Sequence, residues 1–163
     1  MRFLATRRVW ALGLVAGMSL WSVGCSKDDD HDHAAHGGGG HAHEAKNGGQ
    51  LVEVGKHQFN FELLPDAKAG KLTAWVLDAH AESYVRIAAP TLQVKATVDG
   101  QEKILVLAAV ANAASGEKVG ETSQFEGSAE WLKTANGFSG KIIGVTLGGQ
   151  NFGDVAFELK AAK

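Results

Sequence analysis

Apolar and polar side chains alternate with a period of two in several short stretches of this chain. In residues 57–63, Phe59, Phe61 and Leu63 point one way and Gln58, Asn60 and Glu62 the other, as in a strand with one buried face. Residues 91–98 repeat the pattern, setting Leu92, Val94, Ala96 and Val98 against Gln93, Lys95 and Thr97. Asp99-Gly100 then suits a two-residue hairpin, whose turn needs positive φ at both positions, and residues 103–110 read as the return strand. Residues 71–78 and 84–88 read as a second pair around a polar turn. Residues 141–147, Gly148-Gly149 and residues 155–160 read as a closing hairpin with an irregularity at Gly153. Only residues 128–135 read as helical, with Ser128 as N-cap and Asn136-Gly137 as the stop. Short strands punctuated by turns predict an all-β fold: an antiparallel β-sandwich, immunoglobulin-like in general architecture, with at most one short helix.

The alternation is absent from the first part of the chain. Arg2, Arg7 and Arg8 precede an apolar run over residues 9–23, long enough for a signal-peptide core and short for a transmembrane helix. The run ends in Ser22-Val23-Gly24-Cys25, which resembles the bacterial lipoprotein box, with Ser22 where leucine is usual. That resemblance implies cleavage after residue 24 and lipidation of Cys25, the chain's single cysteine. Attachment to a membrane through several acyl chains is then stable, whereas one chain binds only marginally. Ser26 after the cysteine favours the outer over the inner membrane by the known sorting rules, so the expected location is the cell envelope, facing the periplasm.

Residues 25–47 form the expected tether, with a single β-domain over residues 48–163. The tether sequence CSKDDDHDHAAHGGGGHAHEAKN has no aromatic or branched aliphatic side chain, so it buries too little to offset the entropy of ordering. Gly-rich chain statistics give such a linker a reach of about 25–30 Å. The domain is large enough to build a core without a disulfide or a structural metal.

Composition narrows the function classes. Formal charge is −2, from 16 Lys and Arg against 18 Asp and Glu. Removing the three signal arginines leaves 13 against 18, or −5. Neither balance suits a nucleic-acid binder that works through bulk positive charge. One cysteine excludes an internal disulfide framework and a cysteine-based zinc finger.

The chemistry is concentrated in histidine. His31, His33, His36, His41 and His43, five of the chain's seven, fall in the tether, and two H-x-H pairs flank a run of four glycines. Neutral imidazole suits Zn, Cu and Ni, and the glycines allow the chain to fold back around one ion. Asp32 and Glu44 stand beside these histidines as additional ligands or as partners that orient the imidazoles. A flexible site should bind modestly, copper above zinc, and release its ion as pH falls through about 6. The plainer reading is a polar, low-complexity spacer. His57 heads the Phe59/Phe61 strand, where a capped or partly buried structural role is the expectation. His80, within Asp78-Ala79-His80-Ala81-Glu82, is either a further ligand or part of a polar turn. Trp75 and Trp131 are expected in the core or at its rim.

Enzyme templates fail: H-E-x-x-H, G-x-S-x-G, the Walker loop and G-x-G-x-x-G are all missing. The acids at 28–32 imitate the start of a calcium loop but lack its glycine and its closing glutamate. The expectation is a protein that is not an enzyme and requires no cofactor.

Residues 41–85, HAHEAKNGGQLVEVGKHQFNFELLPDAKAGKLTAWVLDAHAESYV, carry a broader resemblance. They resemble the N-terminal region of some periplasmic adaptor subunits of heavy-metal efflux pumps, and of small bacterial lipoproteins. Histidines leading into Gly48-Gly49, a V-x-V-G-x-H strand at 52–57, F-E-L at 61–63 and a K-L-T-x-x-V-L-D strand at 71–78 carry it. Asn47 departs from the pattern, where a histidine often precedes the glycines. No stretch reads as the long helical hairpin of an adaptor, so the resemblance implies a free-standing relative of the small β-domain that handles metal at the envelope.

Three readings follow. The first is a lipid-anchored envelope protein that binds Cu, Zn or Ni through its tether, in metal homeostasis or efflux. The second is a structural or interaction module that docks another envelope protein, the tether acting as a spacer. The third is a small-ligand domain with a cleft at one end of the sandwich.

Overall fold

Alternation of apolar and polar side chains sets which face of each strand turns inward, and the pairing registers of the computed structural model follow from it. The structure describes residues 43–160, all within the unit Gly39–Lys163. The expectations at Cys25, His31, Asp32, His33, His36 and His41 lie outside the described residues. No helix among the described residues is long and apolar enough to cross a membrane.

The strands are β1 (Gln50–Val54), β2 (Phe59–Asp66), β3 (Lys71–Asp78), β4 (Thr91–Val98), β5 (Gln101–Ala109), β6 (Gln124–Ser128), β7 (Phe138–Ile143), β8 (Thr146–Leu147), β9 (Gln150–Asn151) and β10 (Val155–Leu159). Eight of them form one antiparallel sheet in the order β1-β2-β3-β6-β5-β4-β7-β10, while β8 and β9 pair separately. The protein is all-β and antiparallel, as its sequence pattern predicts.

The sheet folds over its own core in a sandwich-like form close to a barrel. Its two outer strands meet through one side chain: Gln50 Nε2 donates to the Glu158 carbonyl, and Lys160 N–H donates to Gln50 Oε1. Bringing the edges together in this way shields them from pairing with other chains.

Inward positions from most strands fill the core. Phe61 and Leu63 of β2, Leu72 and Val76 of β3, Leu107 of β5, Phe125 of β6 and Ile142 of β7 are fully buried. Each such side chain contributes about 1.5–3 kcal/mol by leaving water. The β4–β5 hairpin closes on Asp99 and Gly100, at φ 49° and 75°, the doubly positive turn that matches strand twist.

Several local expectations are corrected. Residues 84–88 make no strand; Tyr84 and Ile87 only bridge to Leu77 and Thr122. The end of the chain is more than one hairpin, because β7 pairs with β10 around the inserted β8–β9 turn. The helical reading of 128–135 reduces to a 3₁₀ turn at Glu130–Lys133. Ser128 belongs to β6, so Ala129 occupies the cap position and supplies no side-chain bond. Leu132 anchors that turn in the core, and Trp131 meets Phe138 edge-on at 5.2 Å. Trp75 is half-buried on the outer face of β3.

Candidate functional site

The outer face of β2 and β3 has a cover of its own. Alternation predicts Asn60 and Glu62 on a solvated face, yet Asn60 is 5% exposed and Glu62 is fully buried. Glu62 lies opposite Leu51 on β1 and Trp75 on β3, and the chain just before β1 folds over it. Its carboxylate accepts four hydrogen bonds. Asn47 N–H and Gly49 N–H donate to Oε1 at 2.7 and 2.8 Å. Lys46 N–H and the Asn47 side-chain amide donate to Oε2 at 3.1 and 2.8 Å. A carboxylate tolerates burial only when its oxygens are satisfied in this way.

The close fit depends on Gly49. A Cβ there would lie 2.7 Å from the Leu63 carbonyl oxygen and 2.9 Å from Glu62 Cγ. The second glycine of Gly48-Gly49 therefore gives the backbone room to approach β2. Asn47 has a structural task here. It donates twice to Glu62 and accepts from the Tyr84 hydroxyl at 2.9 Å. The hydrogen bonding of the domain thus reaches back to Lys46.

The turn after β3 forms the other half of the cover. Asp78 Oδ1 accepts from Glu82 N–H at 2.8 Å, Asp78 N–H donates to the Ser83 carbonyl, and Ala81 N–H donates to the Asp78 carbonyl. The Asn60 amide, held in the sheet, donates to the carbonyls of Asp78 and Ala79 at 3.0 and 3.1 Å. Ala81 is buried at φ 57° and pins the turn from below, leaving His80 exposed at its tip. Desolvation pushes the Asp78 carboxyl up, but the N–H groups of Glu82, Ser83 and His80 and the Ser83 hydroxyl outweigh it. The net result holds Asp78 below its ordinary value.

The two halves are joined. Lys46 Nζ donates to the Glu82 carbonyl at 2.7 Å and stands 5.4 Å from the centre of the Tyr84 ring. At the open end of this seam, the His43 and His80 rings meet with centroids 5.4 Å apart and planes at 71°. His43 is half-buried.

The remaining site expectations separate from this pair. His57 is exposed in the β1–β2 turn at φ 62°, not partly buried against the Phe59/Phe61 face. Its N–H donates to Glu53 Oε1 at 2.9 Å, and its Nδ1 lies 3.2 Å from Glu53 Oε2, so it does cap that turn. Glu44 is exposed. Among the described residues, no three or more His, Cys, Asp or Glu side chains converge as a metal site. Sequence reasoning missed Glu62, Asn60 and Tyr84. The only signal for them was a Gly-Gly pair with no hairpin to close.

Two other features bear on the alternative readings. A groove of about 690 Å³ runs past Arg86, Thr91, Gln93, Thr146 and Gly149. The Arg86 guanidinium is already paired with Glu117 and Glu121, at 3.5 and 3.9 Å. On β5, Ile104 and Val106 are 55% and 53% exposed on the outer face.

No family model matches the chain, no curated protein matches it, and no solved structure matches it.

Proposed function

We propose that this is a lipid-anchored protein of the cell envelope that binds a divalent transition metal, Cu, Zn or Ni, through its histidine-bearing tether. The observation that carries the reading is the placement of His43. The last histidine of the run is fastened next to the domain by the Glu62 anchor and meets His80 there. A histidine kept only as a soluble spacer needs no such placement. Imidazole is the ligand class these ions take, and the acids at 28–30 raise the local cation concentration. Anchoring rests on Cys25, and the Cys25→Ser chain is expected in the soluble fraction in place of the membrane fraction.

The test is calorimetric titration of Cu(II), Zn(II) and Ni(II) into the full chain in detergent. The comparison is a variant with His31, His33, His36, His41 and His43 replaced by serine. Binding of micromolar strength or tighter that disappears in the variant supports the reading, and a wild-type chain that binds none of the ions overturns it. Affinity is expected to fall as pH drops through about 6, because imidazole must be neutral to bind.

One observation favours the interaction-module reading: the exposed pair Ile104 and Val106 on β5. If docking is the role, charged substitutions there abolish the cellular phenotype while the serine variant retains it.

A further inference from the structure

We propose that His43 and His80 are two ligands of one tetrahedral metal site of the zinc class, which locks the end of the tether onto the turn after β3. The inference rests on the metal reading above and deepens it, naming the domain side chain that completes the site and the geometry it takes.

The ring geometry is the first argument. An imidazole nitrogen sits about 2.0–2.1 Å from zinc, so two imidazoles at a tetrahedral angle place their centroids about 5 Å apart. The observed separation is 5.4 Å, with the planes well apart in angle. A square-planar ion with cis imidazoles would bring the centroids to about 4.5 Å. The separation of the pair as it stands is compatible with a shared tetrahedral ion.

Preorganisation is the second argument. A ligand pair gains affinity when neither side chain must be gathered from a mobile chain. His43 stands three residues before Lys46, whose N–H is tied to Glu62 and whose ammonium is tied to the Glu82 carbonyl. His80 tops a turn fixed by Asp78, Asn60 and Ala81. The two anchors are in turn linked by the Tyr84–Asn47 bond. Much of the ordering entropy of this half of the site is thus met by apolar burial and hydrogen bonds of the fold itself. Among the described residues, no third His, Cys, Asp or Glu joins the pair.

The experiment titrates Zn(II) into the full chain, into His80→Ala, and into a variant with His31, His33, His36 and His41 replaced by serine. Imidazole nitrogen NMR of the wild-type chain is read alongside. His80 is exposed at a turn tip, so its removal leaves the fold in place. His80→Ala should weaken the tightest zinc binding by about tenfold or more. In the wild-type chain, zinc should move the ring nitrogens of both His43 and His80. Persistence of the His80 shift in the four-serine variant would support the paired site while removing the rest of the run from it. Unchanged affinity in His80→Ala, with unmoved His80 nitrogens, overturns this inference and leaves the tether reading standing. A wild-type chain that takes up no zinc, copper or nickel overturns both.

Discussion

Glu62 shows how one side chain can decide the fate of a segment. Its two oxygens receive four N–H donors from residues 46–49. Glu62→Gln replaces one acceptor oxygen by an NH₂ group facing N–H donors. The expected loss is roughly 1–3 kcal/mol of stability, read as a lowered denaturation midpoint. Faster amide exchange at Lys46, Asn47 and Gly49 should accompany it. Unchanged protection of those three amides would show that the segment is held by something else. Asp78 carries a pH consequence. Its folded pKa is depressed, so its contribution is fully present above its unfolded value and is lost as pH falls through the folded one. Denaturation midpoints measured from pH 5 down to 2 should therefore decline less steeply in Asp78→Ala than in the wild-type chain.

At the scale of elements, what was legible depended on whether a strand has one buried face or two. β4 alternates strictly, and its bounds match the sequence reading to the residue, because one face meets the core and the other water. β3 was bounded equally well, though both its faces are largely covered. On β2 the same period misled, since Asn60 looks solvated until the turn after β3 covers it, and Glu62 until the chain before β1 closes over it. β6 escaped notice because Phe125 is its one fully buried apolar side chain, and no local pattern survives in five residues. The candidate site was half legible. Histidine clustering showed in the sequence, but the meeting of His43 with His80 depends on long-range pairing that no spacing reveals. Two glycines test these distinctions, because they are needed for different reasons. At Gly100 a Cβ meets nothing, so Gly100→Ala should cost only the left-handed backbone penalty, about 1–2 kcal/mol. Gly49 has no positive φ, and Gly49→Ala instead forces a methyl onto β2, at about 1–3 kcal/mol. Thermal melts give both losses. Only the Gly49 change should also raise amide exchange at residues 46–47.

For the whole molecule, the question is whether metal binding and folding are coupled. The apolar core and the nearly closed sheet involve no candidate ligand, so a chelator should leave the fold intact. A metal held by the tether alone would find the same five neighbouring histidines in the folded and the unfolded chain. Ligands that bind both states equally stabilise neither. His43 and His80 differ, because they lie far apart in the sequence and only the folded sheet brings their rings together. A site using both must therefore raise stability with metal concentration. The limit is about 2.7 kcal/mol at a free concentration one hundred times the Kd, an increase in melting temperature on the order of 10 °C. Residual binding to the unfolded chain reduces the increase. Thermal melts of the wild-type chain with rising zinc should show it, while His80→Ala should bind zinc through its remaining histidines yet melt at nearly the same temperature throughout. Equal zinc-dependent shifts in the two chains would mean that the ion stabilises the fold through other ligands, and that the two rings are neighbours without a shared ion.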